Sequence, residues 1–168
     1  MMRRARPLIL IALIGYPFLS GAVHAQDVDH AIVLEIGGVG EWDFGEGSRH
    51  FGGAFAVEMT PVEHVLELEC GMTVLAAEDG LETSIDVLFK KPYRLSPQVE
   101  FMIGLGPEVV HLPGREDGGT FFGTEAVLDF MFWPRKNVGS YLEPSCGLLF
   151  RNGTQHGAGI TAGLLIGW

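Results

Sequence analysis

The chain has few cysteines, few basic residues and, after its first 25 residues, no long apolar run. Two cysteines cannot form the framework of a disulfide-stapled domain. Eleven Lys and Arg face 21 Asp and Glu, a net charge of -10, and binding nucleic-acid phosphates requires the opposite balance. Because no later segment holds 18 consecutive apolar residues, a transmembrane helix is also excluded there. We therefore expect neither a nucleic-acid partner nor a helical anchor.

Hydrophobic residues and glycine are abundant in spite of the acidity. Of the 168 residues, 47% are hydrophobic and 24 are Gly, and the mean hydropathy is +0.25. An ordinary soluble acidic domain does not have this composition. The length allows one domain.

The first 25 residues have the layout of a secretory signal peptide. Three arginines within the first six residues precede an apolar run from Leu8 to Leu19, and small residues then lead up to Ala25. This order predicts cleavage after Ala25, since the run, interrupted by Gly15 and Pro17, is short for a membrane span. The exported domain would be residues 26–168. It keeps eight basic residues against 21 acidic ones, a net charge of -13.

Alternation with a period of two dominates the exported domain, and this is the signal of β-strands. Large apolar residues alternate with Gly, Ala, Ser, Thr or a carboxylate in eight segments: 32–37, 51–59, 66–74, 84–90, 99–106, 122–132, 141–150 and 157–168. Proline-containing turns are predicted at 61–64, 91–97 and 134–138. Looser polar connections are predicted at 41–49, 78–81, 113–119 and 152–155. The pattern predicts an all-β, eight-stranded antiparallel up-and-down transmembrane β-barrel with both termini at the short-turn end.

The orientation of the two strand faces decides between two kinds of protein. In a soluble sandwich or lipocalin the apolar face points inward and the polar face meets water. Here the second face is rich in Gly and Ala and has almost no Lys, which does not suit a solvated surface. Small inward residues suit an eight-stranded barrel, whose interior is just wide enough for side chains. We favour an apolar face in contact with lipid, with a soluble periplasmic β-domain as the alternative.

Several short motifs in the second half of the chain resemble those of a known group. They are 88–92 (LFKKP), 95–97 (LSP), 104–108 (GLGPE), 128–134 (LDFMFWP), 141–144 (YLEP) and 163–167 (GLLIG). In these the chain resembles small, uncharacterised proteobacterial outer-membrane β-barrel proteins. The resemblance implies the barrel fold and a location in the outer membrane of a Gram-negative bacterium, in contact with outer-membrane lipid, and implies no reaction. We expect a monomer. Trp168 resembles the terminal aromatic signal read by the barrel-assembly machinery, although Phe is more usual.

Nine carboxylates fall on the face that would line the interior, with only two basic residues to accompany them. The acids are Glu35, Glu58, Glu67, Glu69, Asp86, Glu100, Glu125, Asp129 and Glu143, and the basic residues are Lys90 and Arg151. Burying so many unpaired charges would be prohibitive. Water, shared protons, bridging by the two basic residues, or entering cations could compensate. We interpret the interior as a hydrogen-bonded polar plug, with a narrow cation-attracting pore or a small-ligand-binding barrel as the alternative.

Catalytic chemistry has little support in the sequence. A lipid-modifying outer-membrane enzyme would need a nucleophilic hydroxyl with His and an acid. No His-x-Ser pair occurs, His64 lies in a predicted turn, and His111 and His156 lie near the loop rim. A lipid-modifying enzyme is therefore only a second alternative. We expect no catalytic site, no metal site and no cofactor, and a structural or interaction role.

Overall fold

The computed structural model describes residues 30–45, 47–77, 80–112, 114, 118–151 and 153–168. The predicted signal peptide, residues 1–25, lies outside these ranges. No helix in the described ranges is long and apolar enough to cross a membrane. The strands are β1 (Ile32–Asp43), β2 (Arg49–Val62), β3 (Leu66–Ala77), β4 (Gly80–Ser96), β5 (Val99–Leu112), β6 (Gly119–Arg135), β7 (Val138–Phe150) and β8 (Thr154–Gly167).

The eight strands form one closed barrel, in which each strand pairs antiparallel with its neighbours in sequence. Pairing of β1 with β8 closes the barrel, in a ladder from Val33–Gly167 to Asp43–Gly157. Backbone groups that an open sheet would leave unpaired at its edges are thereby paired. The predicted eight-stranded antiparallel up-and-down barrel is confirmed.

Burial alternates along the strands with the parity that the sequence predicts. On β6, Met131 faces inward and is 1% exposed, whereas Phe122 faces outward and is 69% exposed. Every strand contributes at least one large exposed apolar side chain to the outer surface. Examples in strand order are Ile36, Phe55, Met72, Ile85, Ile103, Phe130, Leu142 and Ile160.

The strands are longer than their proline content suggests, so the turns predicted at 61–64, 91–97 and 134–138 are too wide. The actual short connections are residues 63–65, 97–98 and 136–137. Pro61 and Pro134 lie where the ladder register shifts, at positions that tolerate a missing N–H. Pro92 pairs with Met102 of β5, and the ladder of β3 with β4 has already ended at Glu67–Lys90. Pro92 therefore needs no donor on its β3 side.

The interior differs between the two ends of the barrel. An apolar cluster lies in the short-turn half, and its members come from β1, β5, β6, β7 and β8: Val33, Met102, Met131, Trp133, Tyr141 and Leu165. The other half, at the end where residues 44–48, 78–79, 113–118 and 151–153 connect the strands (the loop end), contains a cavity of about 100 Å³. Charged side chains lie between these two regions.

Candidate functional site: a carboxylate-lined interior

A buried lysine is the centre of the charged layer. Lys90 points inward from β4 and is 0% exposed. Its Nζ donates hydrogen bonds to Asp129 Oδ2 and to Glu143 Oε2, each at 2.9 Å. The same ammonium forms ion pairs with Glu58 Oε2 at 3.6 Å and with Glu69 Oε2. Four carboxylates from four other strands therefore converge on one cation.

Ladder register and a glycine explain why these side chains meet. Glu58 and Glu69 are directly opposite each other on β2 and β3. On the other side of Lys90, its partner in the ladder with β5 is Gly104. A Cβ at Gly104 would lie 2.9 Å from Lys90 Cγ, so the absence of a side chain there makes room for the lysine stem.

A fifth carboxylate completes this group, which we call the Lys90 cluster (Lys90, Glu35, Glu58, Glu69, Asp129 and Glu143). One oxygen from each of Glu35, Glu58, Glu69 and Asp129 lies within 4.8 Å of the others, a spacing that could hold a metal ion. The ammonium of Lys90 already lies among three of these residues. Glu35 Oε1 and Asp129 Oδ1 are buried and make no hydrogen bond. One cation cannot balance five buried carboxylates, so protons or further cations must neutralise the others.

The structure places the other predicted interior residues outside the Lys90 cluster. Asp86 and Glu125 line a cavity on its loop side, whereas Glu67 and Glu100 line a cavity on its short-turn side. Arg151 lies at the loop end, with its guanidinium carbon 5.0 Å from the centre of the Phe121 ring. The nine predicted acids thus form a central group of five with Lys90, and four that flank it.

Three further acids line the interior towards the loop end, and reading the sequence alone missed them. Glu41, Glu82 and Glu108 lie beyond the ends that the alternation suggested for β1, β4 and β5. Each has the parity of an acid already placed inside, namely Glu35, Asp86 and Glu100 respectively. Extending the same period by a few residues would have found all three.

These three acids line a cavity of about 100 Å³ at the loop end, which we call the mouth cavity. Its lining also includes His50, Arg151 and His156. A second cavity shares Glu41, Ser84 and Glu108 with it and extends to Glu69 and Glu143. Acid-lined space therefore leads from the mouth of the barrel to the carboxylates that hold Lys90.

Two histidines, His111 and His64, and the terminal tryptophan occupy structural positions. His111 Nδ1 lies 3.1 Å from Thr120 Oγ1, a contact expected because the two residues are cross-strand partners. His64 lies in the turn between β2 and β3 with a φ of 61°, and its carbonyl accepts a hydrogen bond from Lys91. Trp168 continues the ladder with β1, because its N–H donates to the Ile32 carbonyl at 3.0 Å.

Solved outer-membrane barrels have the same architecture. Neisserial surface protein A (NspA) has 12% identity and a TM-score of 0.67, covering 82% of this chain and 97% of that one. The N-terminal β-barrel domain of Pseudomonas aeruginosa OprF has 11% identity and a TM-score of 0.57, with 80% and 97% covered. Ail, the attachment invasion locus protein of Yersinia pestis, solved with the heparin analogue sucrose octasulfate, has 11% identity and a TM-score of 0.53, again with 80% and 97% covered.

No family model and no curated protein matches the sequence. At these identities the structural likeness shows the fold alone. The chain has the fold of the eight-stranded outer-membrane β-barrels.

Proposed function

We propose that the protein is a small outer-membrane β-barrel with a closed interior and a structural or interaction role. The observation that carries this proposal is an inverted distribution of side chains. Large apolar residues are exposed on every strand, whereas Lys90 and its carboxylate partners are buried inside.

The outer surface supports a location in lipid. Ile36 is 50% exposed and Leu164 is 62% exposed, and comparable side chains surround the barrel. A monomer in water rarely exposes so large an apolar surface, whereas a transmembrane barrel requires an apolar band. We therefore propose that the chain is exported, cleaved after Ala25, inserted by the barrel-assembly machinery with Trp168 as its signal, and monomeric. Its relatives would be other small proteobacterial barrels.

The interior supports a scaffold rather than a pore. Eight strands enclose a space that side chains can fill. In this barrel the Lys90 cluster and the apolar cluster fill successive layers. Ions would have to break several charge-assisted hydrogen bonds to pass. We propose no enzymatic activity for the barrel.

The mouth of the barrel limits the size and the charge of a partner that could bind there. The longest of the connections at this end, residues 113–118, has six residues, so there is little surface for a large partner. Glu41, Glu82 and Glu108 give the mouth an acidic lining beside Arg151. A polyanion like the sucrose octasulfate in the Ail complex would be repelled there, and a cationic partner would be favoured.

Fractionation of a Gram-negative host expressing the full chain tests this proposal. We expect the protein in the outer-membrane fraction, with an electrophoretic mobility in detergent that changes on heating, as the closed barrel unfolds. A variant lacking residues 1–25 is the control and should stay out of the outer membrane. A soluble periplasmic protein whose mobility does not change on heating would contradict the proposal.

A further inference from the structure

The Lys90 cluster holds more negative charge than its one lysine can balance. Its five carboxylates surround a single ammonium, and none of the six side chains is more than 9% exposed. Buried charges in proteins are paired with a charge of the other sign or coordinate a metal ion. The surplus of carboxylates therefore requires a further partner.

Two of these carboxylates have an oxygen without a partner. Asp129 accepts a hydrogen bond from Lys90 at Oδ2, whereas its Oδ1 is buried and makes no hydrogen bond. Glu35 Oε1 is also buried without a hydrogen-bond partner, and the residue is 2% exposed. Ala56 lies directly opposite Glu35 on β2, so a small side chain leaves space beside this carboxylate. A buried oxygen that no donor reaches is available to a cation.

Four carboxylates of the Lys90 cluster have the spacing of ligands around one ion. One oxygen from each lies within 4.8 Å of the others in the set Glu35, Glu58, Glu69 and Asp129. Ca²⁺ binds oxygens at about 2.3–2.6 Å, so ligands on opposite sides of it are about 4.6–5.2 Å apart. Mg²⁺ is smaller and usually keeps several of its waters instead of entering a cage of protein ligands. The four oxygens therefore fit around one Ca²⁺.

Acid-lined space gives a cation access to the cluster from the loop end. A cavity of about 30 Å³ is lined by Glu69, and it shares Glu41 and Glu108 with the mouth cavity. Asp86 and Glu125 also line it, and a path with carboxylate walls attracts cations. A cavity of this size accommodates water, which completes the six to eight oxygen ligands that Ca²⁺ takes.

We propose that the Lys90 cluster binds one Ca²⁺ beside the ammonium, through the carboxylates of Glu35, Glu58, Glu69 and Asp129. Asp129 bridges the two cations, with Oδ2 on Lys90 and Oδ1 on the ion. Ligands that are all oxygen suit Ca²⁺, whereas Zn²⁺ is bound mainly by nitrogen and sulfur. The inference rests on the proposed closed interior, because the same cluster closes the barrel, and it adds the ion that this cluster holds.

Equilibrium dialysis against CaCl₂ tests the site. The protein is refolded in a non-ionic detergent with CaCl₂ present, so that the ion can enter before the strands close. We expect about one Ca²⁺ per barrel. Glu35→Gln should weaken binding by about 10-fold or more, because it removes the charge of one ligand and leaves the ion pairs of Lys90 in place. Glu67→Gln is the matched control, since Glu67 is a buried acid outside the four ligands, and it should bind Ca²⁺ with close to the native affinity.

Urea unfolding gives a second measurement on the same samples. A ligand that binds only the folded barrel stabilises it, so Ca²⁺ should raise the urea concentration at the midpoint of unfolding of the native protein. The rise should be smaller in Glu35→Gln than in Glu67→Gln. The heat-dependent mobility of each variant reports that it is folded.

Three results would overturn the proposal. A folded native barrel without saturable Ca²⁺ binding would leave protons as the partners of the surplus carboxylates. Equal affinity in folded Glu35→Gln and in the native protein would show that the interior acids bind Ca²⁺ without a defined site. Displacement of Ca²⁺ by an equal concentration of Mg²⁺ would make the choice of ion wrong. Dialysis tests the ion and conductance across a bilayer tests the closed interior, so failure of one proposal can be told from failure of the other.

Discussion

At the residue scale, Lys90 holds the interior together. Its ammonium is the shared partner of Glu58, Glu69, Asp129 and Glu143, and neither Lys90 nor Asp129 is exposed to solvent. A buried ion pair adds little net stability against an apolar replacement of both partners. Removal of one partner is different, because the charges that remain are buried without compensation.

Lys90→Met should therefore lower the free energy of unfolding by about 3–5 kcal/mol, measured by urea titration of the barrel refolded in lipid vesicles. Lys91→Met is the matched control on the same strand. Lys91 is exposed and donates to the His64 carbonyl at the surface, so its loss should change the free energy by less than about 0.5 kcal/mol. Equal stability of Lys90→Met and the native protein would mean that protons alone neutralise the carboxylates.

Which acids face inward could be read from the sequence, but which of them meet could not. Parity along a strand places Glu35 and Asp129 on the inner face whatever the register. Their convergence on Lys90 depends on how far each strand is shifted against the next, and that shift is set by closure of the whole barrel. Glu108 was missed for a simpler reason, since the alternation was followed only as far as Gly106.

At the element scale, glycines on the inner face allow adjacent strands to approach closely. A Cβ at Gly52 of β2 would overlap the Val74 carbonyl of β3. At Gly53, the next residue, a Cβ would point outward and lie 3.8 Å from the Gly37 carbonyl. The sequence could not show which glycines these are, because the approach of two backbones is a property of the paired strands.

Gly52→Ala should destabilise the barrel by about 1–3 kcal/mol, because the backbone must shift to admit the methyl group. Gly53→Ala, with the same change in composition, should leave the stability close to the native value. The comparison is made by urea unfolding in vesicles, as for Lys90. If the two variants were equally stable, the close approach of β2 and β3 at Gly52 would not constrain the fold.

At the scale of the whole molecule, the residues on the outer surface determine whether the barrel is stable in lipid or in water. Ile36 is 50% exposed on the apolar band, whereas Phe44 is 60% exposed in the connection after β1. Arg on the lipid-facing side of a barrel costs about 2–4 kcal/mol at the bilayer midplane and about 0–1 kcal/mol near the interface. If the surface were in contact with water, an Arg at position 36 or at position 44 would cost little stability.

Ile36→Arg should therefore lower the free energy of unfolding in vesicles by about 2–4 kcal/mol, and Phe44→Arg by about 1 kcal/mol or less. Both variants introduce Arg, so the difference between their free energies of unfolding reports how deep each position lies in the bilayer. Equal and small effects would place the apolar face of the strands in water.

We infer a barrel that lies in the membrane and is closed inside by the Lys90 cluster. Ion conductance across a planar lipid bilayer containing the purified protein tests it most directly, because conduction requires an open path through that cluster. We expect no stepwise current above that of the bare membrane. Stepwise, cation-selective currents would contradict the closed interior and would make the acid-lined space a pore.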